Sequence, residues 1–264
     1  MASPLDLTNL TSVKAWLNIS NNNSDMILGA LITAASRLIS ADLARPPLLP
    51  RQFAERYDGR ANSRLYLRNW PVLTIDSLVI DNRTITQGYR LQPSDMIPPG
   101  RPQAIDLFEH VFPRGRQNVA ITYQAGYAVE NEAATIPSAA PFQCTVSAPY
   151  GAWASDLGAV DATSAMPFTS AAGTPAAGQY SVAGGVYTFA PADAGRQIAI
   201  SYGFVPQDIA QVCMELVGER YFYRLRIGEV SKSLGGQETI SFSQKDMPDA
   251  LAAMLAPYRA VMVA

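Results

Sequence analysis

Between Ala128 and Gly195 the chain carries neither lysine nor arginine, while five carboxylates fall there: Glu130, Glu132, Asp156, Asp161 and Asp193. Residues 1–127 hold 13 basic and 10 acidic side chains, and residues 196–264 hold seven of each. A break of this length reads as a module boundary. It divides the sequence into a mildly basic body, an acidic middle and a balanced end. The overall charge of -2 is their sum, and it gives no global support for nucleic-acid binding. At 264 residues there is enough chain for one or two domains with a proper core.

Periodicity assigns elements on each side of the break. Thr11 or Ser12 is positioned to cap a short helix through Val13, Trp16 and Leu17. Ser24 begins a second helix, whose Ile27, Leu28, Leu31, Ala34, Ala35, Leu38, Ile39 and Leu43 follow helical spacing and which Arg45-Pro46-Pro47 ends. Strands are expected at 52–57, 65–67, 72–80, 89–91, 104–108 and 118–123, forming one antiparallel sheet. In the acidic stretch, 142–147 alternates, and 179–183 and 186–189 flank Gly184-Gly185 as a tight hairpin. Tyr180, Val182, Tyr187, Phe189, Ile198, Ile200 and Tyr202 are expected to share one buried face of a small sandwich. A third helix starts at Pro206, with a stripe of Ile209, Val212, Cys213, Leu216, Arg220, Tyr223 and Ile227, and a last helix spans 249–255. The fold class is therefore α+β: a helical core with an antiparallel sheet and an inserted all-β, sandwich-like (Ig-like) domain. The expected divisions are 1–127, 128–204 and 205–264. The runs Gly115–Tyr123 and Gly195–Tyr202 echo one another, either by convergent strand chemistry or because the insertion ends on a strand like the one it interrupts.

The inventory of reactive side chains is short. One histidine (His110) and two cysteines (Cys144, Cys213) rule out a zinc site with several His or Cys ligands and any disulfide framework beyond one bond. His110 lies in a polar turn beside Glu109, a surface setting. Asp76 and Asp81 flank a strand end and read as a solvated rim, while both cysteines fall on apolar faces as inert thiols. No phosphate-cradling glycine loop precedes a helix. No cofactor, metal or catalytic centre is expected, and the chain reads as no enzyme. Met1–Leu10 shows no basic residue followed by an apolar core, so no secretory signal is expected, and the apolar run 26–43 is interrupted by Thr33, Ser36, Arg37, Ser40 and Asp42, so a soluble protein is expected.

One polar feature stands out: Arg45, Arg51, Arg56, Arg60, Arg64 and Arg68 fall within 24 residues, opposed only by Glu55 and Asp58. They form either a solvated face or a contact for phosphates or an acidic protein partner. In the insertion, Tyr150, Trp153, Tyr180 and Tyr187 either fill its core or form a carbohydrate- or protein-binding face.

The two flanking parts resemble the head–tail connector (adaptor) proteins of tailed bacteriophages. The residues that carry this are Leu10-Thr-Ser-Val-Lys-Ala-Trp-Leu17, the helix 24–44, and Leu67 and Pro71-Val72 leading to Ile75, Ser77 and Leu78. Val119, Ile121, Tyr123 and Ala125-Gly126-Tyr127 follow, then Val205-Pro206-Gln207-Asp208, Ser231, Ser233, Gly235-Gly236, Pro248 and Leu255-Ala-Pro-Tyr-Arg259. The resemblance covers 1–127 and 205–264 and leaves out the insertion. It implies a structural virion protein in the neck, assembled in the host cytoplasm. Its subunits would form a homo-oligomeric ring of twelve between the portal protein and a tail-terminator or other neck protein. That ring would extend the DNA channel, in transient non-specific contact with the genome and without a membrane partner. Leu255, Pro257, Tyr258 and Arg259 would then dock to the portal, and Arg51, Arg56, Arg60, Arg64 and Arg68 would meet phosphate or a partner. Deleting 247–264 is expected to abolish docking and leave the ring fold intact.

Overall fold

The computed structural model describes residues 5–44, 48–93, 103–108, 110–224, 231–234, 238–241 and 247–259. Two compact units emerge: a helical one from residues 1–47 and 207–260, and a β-rich one dominated by 48–206. The α+β expectation holds. Arg45-Pro46-Pro47, Arg226, Ile227 and Gly235-Gly236 lie outside the described residues.

In the helical unit, α1 spans Leu10–Trp16 and α2 spans Asp25–Leu43. The cap of α1 is Asn9, whose Oδ1 accepts the Ser12 N–H at 2.9 Å, so Thr11 and Ser12 belong to the first turn. Ser24 precedes α2 as expected, yet its hydroxyl meets that of Tyr221 at 2.8 Å instead of capping the helix. The buried stripe of α2 is Leu28, Ile32, Ala35, Ser36, Ile39 and Leu43. Ile27 and Ala34, expected inside, are exposed, because α2 is apolar over a wider arc than its neighbours cover. By length and composition α2 could cross a bilayer, contrary to the sequence expectation, but its stripe packs against α3, Gln207–Tyr223. Ser36 is tolerated in that seam because its Oγ accepts the Leu7 N–H at 2.9 Å, with the Cys213 thiol 3.6 Å away. From α3 come Ile209, Val212, Cys213, Leu216, Val217, Gly218 and Tyr221; Tyr223 is exposed and leaves the expected stripe. A Cβ on Gly218 would approach the Leu17 side chain to 3.2 Å, so α1 packs closely there. Helix α4, Asp249–Leu255, buries Leu251 and Leu255.

The β-rich unit begins with β1 (Arg51–Gly59), β2 (Arg64–Tyr66), β3 (Val72–Ile80), β4 (Arg83–Thr84), β5 (Tyr89–Gln92), β6 (Ala104–Leu107) and β7 (Gly115–Ala125). These strands form two sheets, β1-β7-β3-β4 and β2-β6-β5, where the sequence suggested one. The division falls at Gly59. There the β1–β7 register shifts, and a Cβ would lie 1.9 Å from the Pro113 carbonyl oxygen, so the chain turns away to pair β2 with β6. Both sheets close on one core that includes Phe53, Tyr57, Leu67, Leu78, Ile105, Phe112, Ile121 and Tyr123.

Residues 128–204 add β8 (Ala128–Thr135), β9 (Gln143–Thr145), β10 (Trp153–Asp161), β11 (Thr169–Ser170), β12 (Gln179–Ala183), β13 (Val186–Phe189) and β14 (Gln197–Phe204). Sheets β10-β14-β8 and β11-β12-β13-β9 contribute to a common core. That core holds Tyr180, Tyr187, Phe189, Ile198, Ile200 and Tyr202, as the alternation indicates, with Val182 at its margin. Gly184 and Gly185 take φ of 57° and 84°, the positive pair a two-residue hairpin demands. The first and last strands of this segment are neighbours, with Ala128 opposite Gly203.

The echoed runs occupy matching positions. Each is a central strand, β7 between β1 and β3, β14 between β10 and β8. In each, an isoleucine faces a glutamate across the ladder (Ile121–Glu55, Ile200–Glu132), and the buried tyrosine two residues on donates to that glutamate: Tyr123 at 2.8 Å, Tyr202 at 2.6 Å. Residues 231–234 (β15) and 238–241 (β16) form an antiparallel hairpin.

Candidate functional site: an arginine-lined concavity

Strand alternation puts Leu65 and Leu67 into the core and Arg64, Tyr66 and Arg68 outside. On β1 and just beyond it, Arg56, Asp58 and Arg60 are likewise exposed. Arg56, Arg60, Arg64 and Arg68 line one open concavity of about 370 Å³, together with Tyr57, Asp58, Asn62, Leu65, Tyr66 and Gln117. The fifth candidate, Arg51, lies outside it, its guanidinium 4.6 Å from the Phe53 ring centroid.

Three of the four lining arginines have no carboxylate partner among the described residues. Only Arg64 is neutralised, by a two-pronged contact with Asp106 (Nε–Oδ1 2.6 Å, Nη2–Oδ2 2.7 Å) that holds the Asp106 carboxyl below its usual range. Arg68 is anchored twice on Tyr57: its guanidinium lies over the ring at 4.6 Å, and its N–H donates to the Tyr57 hydroxyl at 3.1 Å. Arg56 Nη1 donates to the Gln117 carbonyl at 3.4 Å. Asp58, the one acid in the lining, accepts the Gln117 N–H at 2.6 Å.

Beneath the arginines is a polar network. Glu55 accepts from the hydroxyls of Tyr57 and Tyr123, and Asn69 Nδ2 donates to both Glu55 (3.1 Å) and Tyr123 (3.2 Å). Burial raises both phenols, Tyr123 to about 12. The network fixes Tyr57 and, through it, Arg68. Sequence reasoning grouped Glu55 with Asp58 as opposing charges, whereas Glu55 is the acceptor at the centre of this support.

The remaining candidates disperse. His110 is exposed. Asp76 accepts from Gln52 and Thr74, and Asp81 from Asn118, as separate rim contacts. Both cysteines are buried and free, and burial pushes the Cys213 thiol up to about 11. In the 128–204 segment Tyr180 and Tyr187 are core, Trp153 packs against that core, and Tyr150 alone is exposed, so the four make no common binding face. Four of its five acids are structural. Asp156 accepts from Tyr180 and Tyr187, and Glu132 from Tyr202 and the Ser147 N–H. Asp161 and Asp193 flank Arg196, the first basic residue after the gap, at 3.5 and 3.0 Å. The Ser164 N–H, the Thr163 N–H and Arg196 hold Asp161 below the usual carboxylate range.

At the C-terminal end, Leu255 is fully buried and Pro257 exposed. The Tyr258 hydroxyl donates to Asp208 at 2.9 Å, and Arg259 grips Asp42 with its Nε and Nη2 at 2.9–3.1 Å. Three of the four proposed docking residues thus tie the segment 255–259 to its own helical unit.

A protein family described as head completion protein matches residues 160–261. This bears out the resemblance to phage head–tail connector proteins. The matched stretch also begins inside the segment set apart as an insertion, so the similarity extends through β11–β14. Among solved structures, the chain aligns over its whole length with 95% of a chain in the neck of an empty GTA particle computed with C6 symmetry (15% identity, TM-score 0.43). It also aligns with 95% of a chain in the virion of the native gene transfer agent particle (15%, 0.42) and 94% of one in the native neck computed with C12 symmetry (16%, 0.42). No curated protein matches in sequence.

Proposed function

We propose that this chain is a structural component of a phage-type virion neck, a head-completion adaptor that joins the head to the tail by assembly and catalyses no reaction. The observation that carries this reading is the head completion match over 160–261, which spans α3 and α4. The ordered connector motifs before residue 128 extend it to the rest of the chain. The adaptor acts as a homo-oligomeric ring, expected to hold twelve copies, seated against a portal protein and extending its DNA channel. The helical unit supports this with large apolar side chains left exposed, Trp16, Met26, Ile27, Phe222 and Met254, of the kind that subunit contacts cover. Residues 128–204 form an inserted module, because their first and last strands pair and a chain can leave and rejoin the body at one place.

Docking to the portal through the C-terminal end needs a finer test than deletion of 247–264, which would also remove the buried Leu251 and Leu255. Pro257→Asp changes an exposed position and is expected to weaken portal association with the helical unit intact. Electron microscopy of the chain mixed with portal rings tests the whole reading: a ring of copies on the portal is expected, and a chain that stays monomeric beside intact portals overturns it.

A further inference from the structure

We infer that the concavity lined by Arg56, Arg60, Arg64 and Arg68 binds the sugar-phosphate backbone of duplex DNA without regard to sequence. This deepens the adaptor reading by giving the channel-forming chain a defined DNA contact, and the inference rests on that reading only for its biological setting. The lining is rich in donors: four guanidinium groups and the side-chain amides of Asn62 and Gln117, against one carboxylate. Three of these guanidinium groups, those of Arg56, Arg60 and Arg68, form no ion pair among the described residues. Two of them are held ready by contacts that leave donor capacity free, Arg68 by stacking on Tyr57 and Arg56 by one bond to Gln117. A site organised in advance loses less side-chain freedom on binding.

The lining also separates DNA from an acidic protein. Protein interfaces bury an apolar centre, whereas DNA interfaces are polar and positive. Here Leu65 and Tyr57 are buried and only Tyr66 offers exposed apolar surface. A single exposed aromatic gives no series of platforms for unstacked bases, which favours the duplex backbone over a single strand. Few contacts mean weak, salt-sensitive binding, which suits a conduit that must release its DNA.

Fluorescence anisotropy of the full chain with a labelled duplex of random sequence tests this. Three phosphate contacts predict a slope of log K against log salt of about -2.7, an affinity loss of about 40-fold between roughly 50 and 200 mM salt. Arg56→Ala/Arg60→Ala/Arg68→Ala should bring the slope close to zero with an unchanged circular dichroism spectrum. The corresponding triple Lys variant, which keeps the charge, should retain most of it. Arg37→Ala/Arg224→Ala removes two positive charges from the helical unit and should leave binding as it was. No binding by the parent chain, equal losses in both Ala variants, or preference for a polyglutamate peptide over DNA would each overturn the inference. Portal-bound rings that do not bind DNA would remove this inference and leave the adaptor reading standing; DNA binding by a chain that forms no ring would do the reverse.

Discussion

The paired tyrosine–glutamate contacts are the residue-scale signature of this chain. Tyr123 and Tyr202 are both fully buried, both donate to a glutamate on the neighbouring strand, and both accept a hydrogen bond, from Asn69 Nδ2 and from the Ala148 N–H. Replacing either by Phe removes one bond to a charged acceptor and one accepted bond while the glutamate keeps its other donors, so Tyr123→Phe and Tyr202→Phe should each cost about 1–3 kcal/mol, read from urea unfolding. Burial raises each phenol from 10.0 to about 12. The unfolded chain therefore loses these protons first as pH rises. The contribution is fully present below pH 10.0 and is lost as pH climbs towards about 12. Each Phe variant should accordingly show a shallower loss of stability over that window. The echo of the two strands was legible in the sequence. Their glutamate partners were not, because Glu55 and Glu132 lie 68 and 70 residues from their tyrosines and only pairing aligns them.

At the scale of elements, Gly126 closes β7 with φ at 148°, and a Cβ there would lie 2.4 Å from the Pro50 nitrogen. Gly126→Ala should therefore destabilise the β-rich unit by about 2 kcal/mol or more, a drop visible in its thermal midpoint. Leu255→Asp should unfold the helical unit, and Pro257→Asp should not; circular dichroism separates them. The hairpin 179–189 was readable because alternation and Gly184-Gly185 agree. Strands β8 and β10 escaped notice for a physical reason. Their residues are largely polar or small, and register shifts between Trp153 and Ser155 and between Asp156 and Gly158 break the two-residue period. The arginine run was visible, but only the folding of β1 beside β2 shows that four of its members share a concavity and Arg51 does not.

For the whole molecule, the insertion proposal makes its own prediction: residues 128–204 expressed alone should unfold cooperatively and give a dispersed amide NMR spectrum. An unfolded fragment would count against a separate module. The absence of basic residues between 128 and 195 sets this segment apart in composition and, in the sequence alone, reads as a module boundary. The fold gives its acidic charge another meaning, since Glu132, Asp156, Asp161 and Asp193 are spent on tyrosines, backbone N–H groups and Arg196. By itself the sequence determined the α+β class, most helix and strand positions, the central hairpin and the lack of histidine and cysteine for a metal site, because those follow from local periodicity and composition. Tertiary structure decided which apolar stripe of α2 is covered, that the first sheet is two, which arginines converge and that Tyr258 and Arg259 bind Asp208 and Asp42. These depend on contacts between residues far apart in the chain, and local spacing carries no record of them.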